Sequence, residues 1–242
     1  HDAGQSLWQI LPLGPTGYGD SPYQSFSTFA GNPYMIDLDT LKEEGLLTQE
    51  DIDKGYWGDS EFEIDYATIY WYRFDVLRVA FENFKKNCDR KPFTAFKRKN
   101  SKWLKNYALY MAVKKNFDMK AWTEWPDEEI KLREPEAIKK YERKFKDEID
   151  FWSFLQYKFY EQWESFRKYV NDLGIKILGD MPIYVSYDSV EVWAQPELFE
   201  LDRQHRPIAV AGCPPDVFSP TGQLWGNPLY DWDYHKKTGY VW

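Results

Sequence analysis

Very little in this sequence points to disulfide, metal or nucleic-acid chemistry. Only two cysteines, Cys88 and Cys213, occur in 242 residues. No short spacing links them, so neither a disulfide framework nor a zinc site is expected. Free thiols of a reducing compartment are the simpler reading. The three histidines, His1, His205 and His235, are scattered. The sequence has no His-Glu-x-x-His helix and no Gly-x-Ser-x-Gly elbow, which removes metalloprotease and serine-hydrolase readings. No run approaches the roughly 18 consecutive apolar residues of a membrane span. Basic residues are outnumbered, 31 against 39 acidic, for a net charge of -8, whereas a nucleic-acid footprint needs a basic surface that displaces counterions from phosphates. The longest cationic cluster, Lys97-Arg98-Lys99, is short and falls in a helical stretch, where it reads as a solvated face. Gly14-Pro15-Thr16-Gly17-Tyr18-Gly19 lacks the Gly-Lys-Ser/Thr ending of a phosphate cradle and the spacing of a dinucleotide fingerprint.

Aromatic residues are abundant, at 19% of the chain with 12 Trp. Composition leaves two uses open. Rings can fill a core, where they bury large areas and pair with one another, or their flat faces can cover the C–H faces of a sugar. The pattern along the chain is more informative. Leu7 to Leu13 is a short apolar run closed by Gly14-Pro15 and is expected to be a buried strand. From Pro12 to Tyr34 the chain is rich in turn formers, yet it carries too many aromatics for disorder, so a long shaped loop is expected. From Leu38 to Lys146 several helices are expected around one loop near Trp122 to Pro126, with no strand pattern. Tyr66 to Asn87 and Phe93 to Phe117 have apolar residues at steps of three and four. The clearest helix carries Phe151, Phe154, Leu155, Phe159, Gln162, Trp163, Phe166 and Val170 on one face. It ends at Gly174, where glycine tolerates the left-handed conformation of a helix stop. Ile175 to Ile183 is the next strand candidate. Ala211 to Tyr230 reads as a second Gly/Pro-rich loop.

Strand, loop with a large insertion, amphipathic helix, glycine and strand form one βαβ unit, and such units imply a parallel sheet. In a parallel βα barrel the chemistry lies at the C-terminal strand ends. That rule would put Pro12 to Tyr34, Asp180 and Tyr184 on one face. Asp180 is a lone carboxylate after an apolar strand, and two roles remain open: a cap on the following turn, or an acceptor for sugar hydroxyls. Retaining glycosyl transfer also needs two carboxyl groups about 5–5.5 Å apart. Asp20, Asp180 and Asp216 each lie in a candidate loop, and spacing does not make a pair of any two of them.

Four blocks carry a resemblance. They are Trp8-Gln9-Ile10-Leu11-Pro12-Leu13-Gly14-Pro15-Thr16-Gly17-Tyr18-Gly19-Asp20-Ser21-Pro22-Tyr23-Gln24-Ser25, Gly179-Asp180-Met181-Pro182-Ile183-Tyr184-Val185, Asp188-Ser189-Val190-Glu191-Val192-Trp193, and Ala211-Gly212-Cys213-Pro214-Pro215-Asp216 through Gly222-Gln223-Leu224-Trp225-Gly226-Asn227-Pro228. In that order they closely resemble signatures of the amylomaltase (4-alpha-glucanotransferase) family. The resemblance runs over essentially the whole chain and is weakest between Leu38 and Lys146. It implies an α/β fold: an incomplete (β/α)8 TIM barrel of the alpha-amylase type with a large helical insertion. Residues 1–37 would hold a barrel strand and substrate loop, 38–146 the helical insertion, 147–200 a barrel helix and the next strand, and 201–242 a loop covering the active site. Carried over by matching motif, Ser21 and Tyr23 would line glucan subsites, Asp180 would bind substrate rather than act as nucleophile, and Gln223 and Trp225 would contact sugar from the covering loop. Tyr18 would belong to a secondary glucan groove.

The resemblance implies transfer of alpha-1,4-glucan segments between maltooligosaccharides by retaining double displacement, without a metal or organic cofactor. The family's first barrel strand, its Arg-x-Asp nucleophile motif and its acid/base Glu have no match here. No catalytic residue is therefore assigned in this chain, and the expectation is an N-terminal-half fragment that is inactive alone and is completed by the C-terminal half of its parent. The opening His1-Asp2-Ala3-Gly4-Gln5, with a strand following almost at once, fits that expectation. A cytoplasmic location follows from the family and the thiols. Two other readings are a non-catalytic alpha-glucan-binding module and a fragment of a related alpha-glucan hydrolase.

Overall fold

The computed structural model describes residues 1–60 and 62–242, leaving out also the side chain of Tyr18. Strands β1 (Leu7–Gln9), β2 (Lys176–Leu178), β3 (Val210–Cys213) and β4 (Gln223–Pro228) are joined by helices α1 (Leu38–Glu43), α2 (Gln49–Asp53), α3 (Tyr66–Asn87), α4 (Lys91–Lys99), α5 (Ser101–Asn116), α6 (Glu128–Lys131), α7 (Pro135–Lys144), α8 (Lys146–Asp172), α9 (Val190–Ala194) and α10 (Trp232–Lys237). Among the described residues no helix is long and apolar enough to cross a membrane. The chain divides into two compact units, each assembled from separate segments.

The first unit comprises His1–Ile10, Ala30–Leu109 and Phe145–Leu178. Its helices start where short polar side chains can take the orphan amides of a first turn. Asp37 accepts from Thr40 N at 2.7 Å, Thr48 and Asp51 form a reciprocal capping box, and Asp65 accepts from Thr68 N at 3.1 Å. The stripe expected on α3 is buried from Val76 to Phe84. It meets the stripe of α8 through Phe81–Phe154 at 5.3 Å and Phe84–Phe154 at 5.0 Å between ring centres. Burying each such side chain contributes about 1.5–3 kcal/mol.

Gly31 fits against α8 because it has no side chain: a Cβ there would lie 2.0 Å from the Phe159 ring. Its amide and carbonyl are both met by buried Gln156, at 2.7 and 2.9 Å. Gly174 ends α8 at φ +80°, as the sequence predicts.

Two expectations need correcting in this unit. The single helix expected over Phe93 to Phe117 is two helices that break at Asn100. The Asn100 side chain donates to Phe96 O at 3.0 Å and accepts from Trp103 Nε1 at 3.3 Å, competing locally with the helical ladder. The expected buried strands are short and uncovered. β1 and β2 pair in parallel, Trp8 opposite Ile177, while Leu7 and Leu178 are more than half exposed. A parallel sheet is buried only when layers cover both faces, and among the described residues these two strands form a two-stranded sheet.

The second unit comprises Leu11–Phe29, Tyr110–Lys144 and Gly179–Trp242. Its core is an aromatic triangle in which Tyr110, Trp125 and Trp193 lie 5.6 Å apart pairwise. Both indoles of the triangle are hydrogen-bonded: Trp193 Nε1 donates to Ile130 O at 3.1 Å and Trp125 Nε1 to Lys120 O at 3.2 Å. The open question about the tryptophans thus resolves toward packing at Trp122, Trp125, Trp152 and Trp193, all under 5% exposed. The Ala211 to Tyr230 segment, expected as a loop, holds the antiparallel ribbon β3–β4, with Val210 opposite Pro228, Cys213 opposite Gln223, and an irregularity between Val210 and Gly212. Its glycines and prolines hide the two-residue alternation by which strands are read.

Candidate functional site: a tyrosine–aspartate cavity

Pro12 to Thr28 and the segment after β2 together line a cavity of about 230 Å³ in the second unit; Pro12, Tyr23, Ser27, Thr28, Asp180 and Tyr184 are among its walls. At its centre the Tyr23 hydroxyl donates to Asp180 Oδ2 at 2.6 Å, a short bond of the charge-assisted kind. That bond, then desolvation and the carboxylate's charge, push the Tyr23 hydroxyl above its ordinary pKa. In this structure Asp180 is therefore the acceptor of a tyrosine hydroxyl. Ser21 does not line the cavity. Its hydroxyl accepts from the Tyr23 amide at 3.3 Å, so it shapes the turn that presents the tyrosine.

The wall carrying Ser27 and Thr28 is fastened from beneath by α9. Glu191 Oε1 accepts from Ser27 Oγ at 3.1 Å and from Thr28 N at 3.0 Å. The Val190 amide donates to Phe26 O at 2.9 Å. Glu191 is 4% exposed, and burial raises its carboxyl to about 7, against the opposing hydrogen bonds from Thr28 and Ser27. Ser189 caps the helix, accepting from Val192 N at 3.4 Å.

One residue earlier, Asp188 collects a buried cation and two further donors. Lys114 Nζ lies 2.6 Å from Asp188 Oδ2 and also donates to Lys120 O at 2.9 Å. Tyr110 OH and Trp122 N donate to Asp188 Oδ1 at 2.6 and 3.2 Å. Burial pulls the Lys114 ammonium down and the adjoining carboxylate opposes it, while burial followed by the Asp188 charge holds the Tyr110 hydroxyl well above its usual range. Lys114 Nζ also sits 4.7 Å from the Phe26 ring centre, which ties this cluster to the same loop.

On the other side, the ribbon holds the strand-end segment. Asn227 Nδ2 donates to Val185 O at 2.7 Å and Tyr230 OH to Ile183 O at 3.1 Å; burial, then the neighbouring Tyr184, raises the Tyr230 hydroxyl to about 12. Tyr184 stacks on Tyr230 at 6.2 Å and lies 6.2 Å from the Trp225 ring. Trp225 Nε1 donates to Gln223 Oε1 at 3.0 Å.

The structure therefore brings Tyr23 and Asp180 into direct contact and seats Ser21 one turn behind them. It pairs Gln223 with Trp225 outside the cavity wall, joined to it through Tyr184. The side chain of Tyr18 lies outside the described residues. Asp216 accepts from the Phe218 and Ser219 amides at 2.9 and 2.8 Å, so it organises a turn rather than pairing with Asp180. Sequence reasoning put Tyr184 on the face that carries the chemistry without giving it a role, and singled out neither Glu191 nor Lys114. Tyr184 and Glu191 sit inside quoted motifs, four residues after Asp180 and three after Asp188, and those positions were the available signal. Nothing in the sequence marks Lys114 off from the other lysines of its helix.

A profile described as 4-alpha-glucanotransferase matches residues 1–242. The chain belongs to the 4-alpha-glucanotransferase family. It is 49% identical over 241 residues to a 4-alpha-glucanotransferase of Clostridium butyricum, covering 99% of this chain and 49% of that protein. It is 46% identical over 242 residues to one of Thermus thermophilus, covering 99% and 47%. The amylomaltase of Streptococcus agalactiae, solved in complex with acarbose, superposes with a TM-score of 0.96 at 47% identity over 100% of this chain and 49% of that one. The chain spans about half the length of these relatives.

Proposed function

We propose that this chain is the N-terminal part of a 4-alpha-glucanotransferase and supplies glucan-binding walls to an active site whose nucleophile and acid/base lie in the remainder of the parent. The observation that carries the reading is the Tyr23–Asp180 bond at the cavity, in a chain of this family. A carboxylate held by a phenol, next to the ring faces of Tyr23 and Tyr184, offers acceptors for hydroxyls and flat apolar surface for sugar C–H faces. Ser21 positions Tyr23, and Gln223 and Trp225 reach over the bound sugar from the ribbon. Tyr18 is assigned to a secondary glucan groove. The complete enzyme moves alpha-1,4-glucan segments between maltooligosaccharides through a covalent glucosyl intermediate, with the acid residue switching to base. No metal or organic cofactor enters that chemistry.

In this reading β1 and β2 are strands of a (β/α)8 barrel. Residues 1–37 and 147–200 belong to the barrel, 38–146 form the helical insertion and 201–242 the covering segment. The exposed Leu7, Leu178, Met181 and Ile183 support it, because uncovered strand edges and apolar faces call for a partner, here the C-terminal half of the parent. The compartment is the cytoplasm. Incubating the purified chain with maltotriose tests the division of labour. No glucose and no longer oligosaccharide is expected; both appearing would place the catalytic groups within this chain.

A further inference from the structure

Away from that cavity, the first unit carries a groove of about 530 Å³ between α4 and α8. This is within the size range of small-molecule sites. Its floor is three half-buried rings: Phe96 lies 5.6 Å from Tyr157 and 5.9 Å from Tyr160, at interplanar angles of 57° and 44°. Trp103 packs against Tyr160 at 5.9 Å, extending the aromatic cluster. Arg98 and Lys99 stand on one bank, Glu161 and Glu164 on the other.

Two features narrow the occupant. The banks carry charges of both signs, two basic and two acidic, rather than the single sign that would select a small ion. Glu161 is already engaged by Lys158 Nζ and Tyr157 OH, at 2.6 and 3.1 Å. The side chains of Arg98, Lys99 and Glu164 make no hydrogen bond or ion pair among the described residues, so donors and an acceptor face the groove with nothing to satisfy but solvent. Rings below, with uncommitted hydrogen-bonding groups of both signs above, match a neutral polyhydroxylated chain whose C–H faces are apolar and whose rim is hydroxyl. Rings inclined to one another suit a ligand whose successive units turn, as they do in an alpha-1,4-linked glucan and not in a flat ribbon.

We infer that the α4–α8 groove is a further carbohydrate-holding site, distinct from the Tyr23–Asp180 cavity and from the groove assigned to Tyr18, and that it takes an alpha-1,4-linked glucan segment. The preference for a neutral sugar chain comes from the groove itself; the choice of an alpha-glucan rests also on the function proposed above. The test uses the chain as it stands, titrated with maltoheptaose by calorimetry, with cellohexaose as the flat-ribbon control. The background is Tyr23→Phe/Asp180→Asn, which disables the cavity. Residual maltoheptaose binding is expected there. Phe96→Ala should then weaken it by about tenfold, the effect of losing one ring contact, and the exposed rim change Glu164→Ala, which removes no packing, should also weaken it. Absence of residual binding in that background overturns the groove while leaving the cavity reading in place. Residual binding untouched by both Phe96→Ala and Glu164→Ala, or equal affinity for cellohexaose, overturns it too. Residual binding equal to that of the unaltered chain and abolished by the groove variants supports the groove and counts against the cavity.

Discussion

Glu191 is the residue on which the geometry of the cavity wall most depends. Its carboxyl titrates near 7 in the folded chain against an ordinary value of 4.5, so between those values the folded state holds a proton that the unfolded state has released. Stability therefore falls as pH rises from about 4.5 to 7 and is not lost further above that range, by on the order of 3 kcal/mol in total. Urea denaturation of the unaltered chain and of Glu191→Gln across pH 4 to 8 should give curves that diverge through this window, the variant gaining relative stability as pH rises. Parallel curves would mean that Glu191 titrates normally. Lys114 makes the complementary case. Its side chain is 1% exposed against 28% for Asp188, and removing one member of such a buried pair costs about 3–5 kcal/mol. Lys114→Ala should lower the unfolding free energy from urea denaturation by that amount. A loss under about 1 kcal/mol would mean the pair behaves like a surface bridge.

At the scale of elements, Gly31 is the sharpest test of packing. Gly31→Ala drives a methyl into the Phe159 ring, and overpacking of this kind costs about 1–3 kcal/mol; a thermal melt unchanged from that of the parent chain would show that α8 yields freely. The same scale shows what was legible in the sequence. The helices over Tyr66–Asn87 and Lys146–Asp172 could be read because their apolar stripes repeat at the helical period. Gly174 could be read because a left-handed stop needs glycine. The break at Asn100 could not, since it depends on one side chain choosing local backbone partners. Nor could the β3–β4 ribbon, whose glycines and prolines mimic a loop. Asp180 could be read as a lone carboxylate after an apolar strand and Tyr23 was named through resemblance, but their bond joins residues 157 positions apart, and no local pattern encodes such a contact. Glu191 was hidden for a related reason: its carboxylate reads as a helix-surface residue until the loop it fastens is seen above it.

For the whole molecule, the distribution of tryptophan matters most. Those that build the cores are buried, whereas Trp225 remains 44% exposed, beside Tyr184 and bonded to Gln223. Glucan binding at the cavity should therefore change tryptophan emission, and Trp225→Ala should remove most of that change while leaving the melt within a degree or two, since an exposed ring contributes little to the fold. The central claim is that Tyr23 and Asp180 form a glucan-binding wall. Its most direct test is the affinity of maltoheptaose for the chain and for Asp180→Asn, measured at the cavity by the chemical shifts of isotope-labelled tyrosine rings. We predict that Tyr23 and Tyr184 shift on titration in the unaltered chain, and that Asp180→Asn weakens the response by about tenfold, the loss of one charge-assisted bond to a hydroxyl. Shifts confined to tyrosines outside the cavity, or an affinity there indifferent to Asp180, would contradict the account.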